Sequence, residues 1–223
     1  MKKVSLTFIL IITCIFTVYG CGCTKEETIS KEEAIEILKE NKVNENVEIV
    51  TTIETSINNN KTTSTQHDIY YNNTYYHLSE NNGIATKTWY GKVGNVLYAF
   101  YYTKNANNQE TKTSSRITET QLNAAKKQPN SVINSLFNES GNLSSIYDIS
   151  ATKKGSTYTI QASSNLEEES ITHTITIKDN KIEKIITNSS IANDSIKITY
   201  SYNYDVEKID LPSLNEYPLK VNG

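Results

Sequence analysis

From Val47 to Ile57 the chain alternates with a period of two. Val47, Ile49, Thr51, Ile53, Thr55 and Ile57 fall on one side; Glu48, Val50, Thr52, Glu54 and Ser56 fall on the other. Side chains of an extended strand point to opposite faces at each step, so this pattern predicts a long strand with one face buried. The pattern recurs along the chain between short polar turns: Asn58-Asn59-Asn60-Lys61, Asn72-Asn73, Asn81-Asn82-Gly83, Gly91–Asn95 and Asp179-Asn180. Asn, Asp and Gly tolerate the positive φ that tight hairpins need. Parallel neighbours require crossovers of a dozen residues or more, whereas these connections are far shorter, so the sheet must be antiparallel.

Further strands are predicted at Thr62–Tyr71, Thr74–Glu80, Ile84–Tyr90 and Val96–Thr103, with a weaker one reaching Thr113. A second run follows at Ser144–Ala151, Ser156–Ser163, Ser170–Lys178, Lys181–Ser189 and Ser195–Asp205. A two-residue loop at Asn72-Asn73 sets the pairs Tyr70:Tyr75, Ile69:Tyr76, Asp68:His77 and His67:Leu78. Helices are fewer. Ser30, followed by Glu33, is a capping box opening a helix over 30–40, with Ala34, Ile35, Ile37 and Leu38 as its apolar stripe and Asn41 at its end. Two more are predicted at Thr118–Lys127 and Asn130–Asn138, separated by Pro129. In the second of these, Val132, Ile133, Leu136 and Phe137 form the stripe. The fold expected is α+β: a curved antiparallel sheet with the N-terminal and central helices covering one face.

The apolar fraction, 37%, lies below the roughly 45–50% of ordinary globular chains. Fifteen tyrosines nevertheless argue against wholesale disorder. Arg116 is the only arginine, and the net charge is −3. Because Arg supplies the bidentate clamps on phosphate and guanine, the composition speaks against a nucleic-acid partner.

The N-terminus has the form of an address. Lys2 and Lys3 precede an apolar run from Val4 to Val18, shorter than the ~20 residues a spanning helix needs. Val18-Tyr19-Gly20-Cys21 then resembles the bacterial lipobox, in which the Cys is diacylated and becomes the new N-terminus. The expectation is a signal peptide over 1–20, a lipidated tether over 21–29, a single domain over 30–217 and a tail over 218–223. Cys21 is the expected lipidation site, and the membrane the expected partner through its diacylglyceryl anchor. Cys14 leaves with the leader and no Cys follows Cys23, so the domain has no disulfide. Loss of Lys2 and Lys3 takes the net charge from −3 to −5.

No residue set points to catalysis. His77 opposite Asp68 reads as a cross-strand pair, because no Gly-x-Ser-x-Gly elbow or domain cysteine supplies a nucleophile. His67 falls on the other face, and His173 among Ile171, Ile175 and Ile177 reads as a buried, hydrogen-bonded histidine. Glu167-Glu168-Glu169 lacks the alternation and Gly turn of a Ca²⁺ loop and reads as a solvated loop. Neither a metal nor a cofactor is expected. Tyr98, Phe100 and Tyr102 share one strand face, and Tyr200, Tyr202 and Tyr204 share another. Such rows line a ligand cavity or pack as half-buried strand residues.

The order of elements, with Ile175–Ile182 and the Tyr-rich run Ile198–Pro212, resembles the LolA/LppX-like half-barrel lipoproteins over most of 30–217. The resemblance implies a half-barrel with a hydrophobic cavity between sheet and helices, which in characterised relatives holds acyl chains. It implies no catalytic residue. The expected function is therefore non-enzymatic binding of a hydrophobic or amphiphilic ligand by a membrane-anchored extracytoplasmic lipoprotein, with Tyr98, Phe100, Tyr102, Tyr200 and Tyr202 lining the site. The alternative is an envelope interaction module with a filled core that binds a protein or glycan by its surface.

Overall fold

The computed structural model describes residues 25–220, apart from 42, 44, 45, 82 and 166–168. The leader 1–20, Cys14, Cys21, Cys23, Asn82, Glu167 and Glu168 lie outside the described residues. The strands are β1 (Glu27–Ile29), β2 (Val47–Ile57), β3 (Asn60–Tyr71), β4 (Thr74–Asn81), β5 (Ile84–Val93), β6 (Val96–Lys104), β7 (Glu110–Arg116), β8 (Asp148–Lys154), β9 (Thr157–Asn165), β10 (Glu169–Lys178), β11 (Lys181–Ile191) and β12 (Asp194–Asn203). The helices are α1 (Lys31–Glu40), α2 (Glu119–Ala125) and α3 (Ser131–Ser135).

All twelve strands lie in one open sheet, ordered β1-β8-β9-β10-β11-β12-β2-β3-β4-β5-β6-β7. Every neighbouring pair is antiparallel. The topology is two meanders, β2–β7 and β8–β12, separated in sequence by the helical segment. They join where β12 returns to β2, with Tyr202 opposite Ile49 and Tyr200 opposite Thr51. Asn58 and Asn59, with φ of 50° and 65°, turn β2 into β3; Asp179 and Asn180, at 50° and 60°, turn β10 into β11. Positive φ at both central residues gives the turn whose twist matches that of the strands it joins.

The four pairs expected across the Asn72-Asn73 hairpin are the pairs present. Element ends differ more. Glu27–Ile29, read as tether, forms β1 and pairs with β8 from Ala151 to Lys153. At the other terminus Leu219, read as tail, forms a parallel bridge with Ser114 of β7. The sheet thus recruits residues on both sides of 30–217. α2 and α3 are shorter than expected. α3 ends before Phe137 because Phe137 bridges Leu143 in an extended conformation.

Cross-strand register divides the side chains into two faces. On one, here the Ile49 face, stand Ile198, Tyr200, Tyr202, Val47, Ile49, Thr51, Asp68, Tyr70, Tyr75 and His77. The same face continues through Ile185, Ile175, Ile160 and Ala151. The larger core cluster joins these four residues to Ala34 and Leu38 of α1, Ile133 of α3, and Leu136. α1 is fixed at its start by Ser30 Oγ, which accepts from the Glu33 N–H at 3.1 Å, and at its end by Asn41, whose backbone and side-chain amides both donate to the Ile37 carbonyl.

The opposite, Trp89 face carries a cross-strand row: Asn203, Glu48, Ile69, Tyr76, Trp89, Phe100 and Ser114. Tyr204 still packs with the Ile49-face cluster, and the C-terminal segment 205–220 packs on the Trp89 face. Leu211, Leu214 and Tyr217 cluster with Trp89, Tyr98, Phe100 and Tyr102. The segment is clamped at the β7 edge. Ser114 N–H donates to the Pro218 carbonyl at 2.9 Å, Ser114 Oγ donates to the Tyr217 carbonyl at 2.8 Å, and Lys220 N–H donates back to the Ser114 carbonyl at 2.9 Å. Gly91 makes room for this strap: a Cβ there would lie 2.7 Å from Leu211 Cδ1.

Candidate ligand-binding groove

The structure does not bring the five expected cavity residues together. Phe100 pairs with Trp89, and through Tyr76, Ile69 and Glu48 the register carries that face to Asn203, next to Tyr202 in sequence but on the opposite side of β12. Tyr98, Phe100 and Tyr102 therefore point away from the side on which Tyr200 and Tyr202 stand. Tyr98 and Phe100 are buried beneath the strap, with Tyr217 edge-on to Phe100 at 5.9 Å between ring centroids. Tyr102 is half-buried beside them, with the Lys87 ammonium 5.6 Å from its ring centre.

Tyr200 and Tyr202 do line an open space. A groove of about 420 Å³ lies on the Ile49 face where β12, β2 and β3 adjoin. Its walls include Ile49, Ile53, Ile198, Tyr70, Tyr200 and Tyr202. One side is formed by the segment Lys127–Ser131 between α2 and α3. Tyrosine hydroxyls hold that segment over the sheet: Tyr70 donates to the Lys127 carbonyl at 2.7 Å and Tyr202 to the Pro129 carbonyl at 3.3 Å. Asn130 Oδ1 accepts from the Val43 N–H at 2.9 Å, tying the segment to the chain leaving α1. Burial raises the Tyr70, Tyr200 and Tyr202 pKa values, so all three stay neutral hydrogen-bond donors.

The polar end of the groove is built on Asp68, 3% exposed. Its Oδ1 accepts from Tyr75 Oη at 2.6 Å and lies 2.7 Å from His77 Nδ1. Its Oδ2 lies 3.5 Å from Lys127 Nζ, which also donates to Gln66 Oε1. Burial by itself pushes the Asp68 pKa up. Hydrogen bonds from His77 and Tyr75, with the charges of Lys127 and His77, outweigh it and hold the carboxyl below 3.8. The groove therefore offers apolar and aromatic walls with an anion and an ammonium at one end. His77 holds Asp68 Oδ1 from outside the groove lining, so Asp68 is the member of the pair that the groove presents.

Asp68, Gln66, Lys127, Ile49, Ile53 and Ile198 are groove residues that the sequence did not point to as a binding site. Ile49, Ile53 and Ile198 shared the alternation of the tyrosines and β2, but nothing local marked the 126–130 connection as its roof. The other histidines are structural. His173 is buried, with Nδ1 2.9 Å from Thr187 Oγ1 and Nε2 3.4 Å from Tyr147 Oη. His67 stands on the Trp89 face beside Glu48, at 3.5 Å. Among the described residues no group of three or more His, Cys, Asp or Glu is placed to hold a metal ion, and no helix is long and apolar enough to cross a membrane. Comparison with known proteins finds no family model and no curated protein that matches the chain.

Proposed function

We propose that this chain is a membrane-anchored bacterial lipoprotein, tethered through a diacylglyceryl group on Cys21, whose domain binds one hydrophobic or amphiphilic ligand without transforming it. In this reading the sheet is a half-barrel of the LolA/LppX-like kind, and the helices and the 126–130 connection cover part of its concave, Ile49 face. The observation that carries the reading is the groove. Its volume of about 420 Å³ falls within the ~300–1,000 Å³ typical of small-molecule sites. Its apolar walls end in the Asp68–Lys127–Gln66 cluster, so an apolar body and a polar head each meet a matching surface. The size suits one slim amphiphile, and Tyr98, Phe100 and Tyr102 take no part in its binding.

A fluorescent fatty acid titrated into the protein tests this. The account expects saturable binding, weakened at least tenfold, about 1.4 kcal/mol, by Ile198→Trp, which fills the groove. Tyr102→Ala, on the other face, leaves the affinity unchanged. Equal affinity in the Ile198→Trp protein, or no binding at all, overturns the reading.

One observation favours the surface-binding alternative. Ile57, Ile191 and Ile196 are 46%, 51% and 40% exposed at the adjoining tips of β2, β11 and β12. An apolar cluster of this kind marks interaction surfaces. An absence of ligand in the groove would move the function there.

A further inference from the structure

Where the strap leaves β12 it stands off the Trp89 face, and a cleft of about 480 Å³ lies between them. Ile69, Tyr76 and Trp89 line it from the sheet, and Val206 and Ile209 from the strap. Tyr76 and Trp89 lie 5.2 Å apart between ring centroids, tilted at 45°, and together make an aromatic floor. The charged lining is one-sided. Glu48, Asp205, Glu207 and Asp210 face a single ammonium, Lys208, which lies 3.5 Å from Asp210. Glu48 is oriented by Asn203 Nδ2, which donates to Oε2 at 3.3 Å, and by His67 Nδ1, 3.5 Å from Oε1.

Elsewhere five aromatic rings lie under the protein's own lysines. Lys87 lies over Tyr102, Lys112 over Tyr217, Lys181 over Tyr204, Lys153 over Tyr158 and Lys39 over Phe137, at 4.9–5.8 Å from the ring centres. Among the described residues no lysine lies over Tyr76 or Trp89, although indole is the ring that attracts a cation most strongly.

We propose that this cleft is a binding site for a small organic cation with an apolar body. Its ammonium or guanidinium rests on the Tyr76–Trp89 floor, its apolar part lies against Ile69, Val206 and Ile209, and Glu48 with the strap carboxylates balances its charge. The site is independent of the groove, which opens on the other face of the sheet.

Trp89 is the only tryptophan of the chain and sits in the floor, so its emission reports occupancy directly. Benzyltrimethylammonium is titrated into the full-length protein in a non-ionic detergent, with sodium chloride holding the ionic strength constant. The expected result is a saturable change in Trp89 emission that benzyl alcohol, similar in its ring but uncharged, does not reproduce. Glu48→Gln, nearly isosteric, weakens binding about fivefold or more, and so does Tyr76→Leu. Three results overturn the proposal: linear quenching without saturation, an equal response to benzyl alcohol, or wild-type affinity in both variants.

Discussion

Asp68 keeps its charge while almost wholly buried, and the reason is local. His77, Tyr75 and Lys127 surround the carboxylate and hold its pKa below 3.8 against the opposing effect of burial. In the unfolded chain the same group titrates near ~3.9 and takes up protons first as the pH falls. Its contribution to stability is therefore complete above about pH 4 and is lost as the pH drops through the lower folded value. Asp68→Asn should flatten this acid limb. It should also cost about 1–3 kcal/mol at neutral pH, because its amide meets donors that need an acceptor. Urea midpoints measured from pH 2.5 to 7 check both effects. His173 titrates in a separate window. Burial lowers its pKa below 6.5, so the unfolded imidazole is protonated first and stability falls as the pH drops below about 6.5. His173→Gln should reduce the loss of stability as the pH falls below 6.5 and leave the Asp68 limb intact. An unchanged slope in that variant would refute the assignment.

At the scale of elements the hairpins explain both what could be read from the chain and what could not. The Asn72-Asn73 loop fixed a register, and with it the opposition of Asp68 and His77, because a two-residue turn leaves no freedom in pairing. Asp179-Asn180 sets only Lys178:Lys181 and Ile177:Ile182, because a bulge then shifts the register to Thr176:Lys184. Ala192 is the exception. It turns β11 into β12 at φ 51°, a conformation that costs an L-residue roughly 1–2 kcal/mol and that Gly adopts freely. Ala192→Gly should therefore raise stability by about 0.5–1 kcal/mol in thermal unfolding, less than the full strain because Gly gains freedom in the unfolded chain. A loss would show that the turn is held by something other than its backbone. Thr118 and Gln121 form a reciprocal capping box at α2, a signal present in the sequence that marks the helix start more sharply than its apolar pattern. Long-range partners were not legible. The return of β12 to β2, the roof over the groove and the docking of 205–220 depend on contacts between segments far apart in sequence, and no local period encodes them. That is why Tyr98 and Tyr200 were grouped by composition although the sheet puts them on opposite faces.

As a whole, the molecule is a sheet with different coverings on its two faces. On the Trp89 face the strap buries Phe100 and Tyr98 under Tyr217, so the last residues close a core. Tyr217→Ala should cost about 3–5 kcal/mol, as for large aromatic truncations, and shift Trp89 emission to the red as its edge contact with Tyr217 is lost. Little change in either would show that the strap rests on the sheet without stabilising it. On the Ile49 face the Lys127–Ser131 segment leaves the groove open beside β12, and the functional proposal depends on that space. Native mass spectrometry tests it most directly. A soluble form beginning at Thr24, expressed in a bacterial host, is weighed intact and then extracted with organic solvent for lipid analysis. One amphiphile per protein should co-purify and be lost in the Ile198→Trp variant. A clean apo mass that stays unchanged after incubation with phospholipids and fatty acids would contradict the proposal.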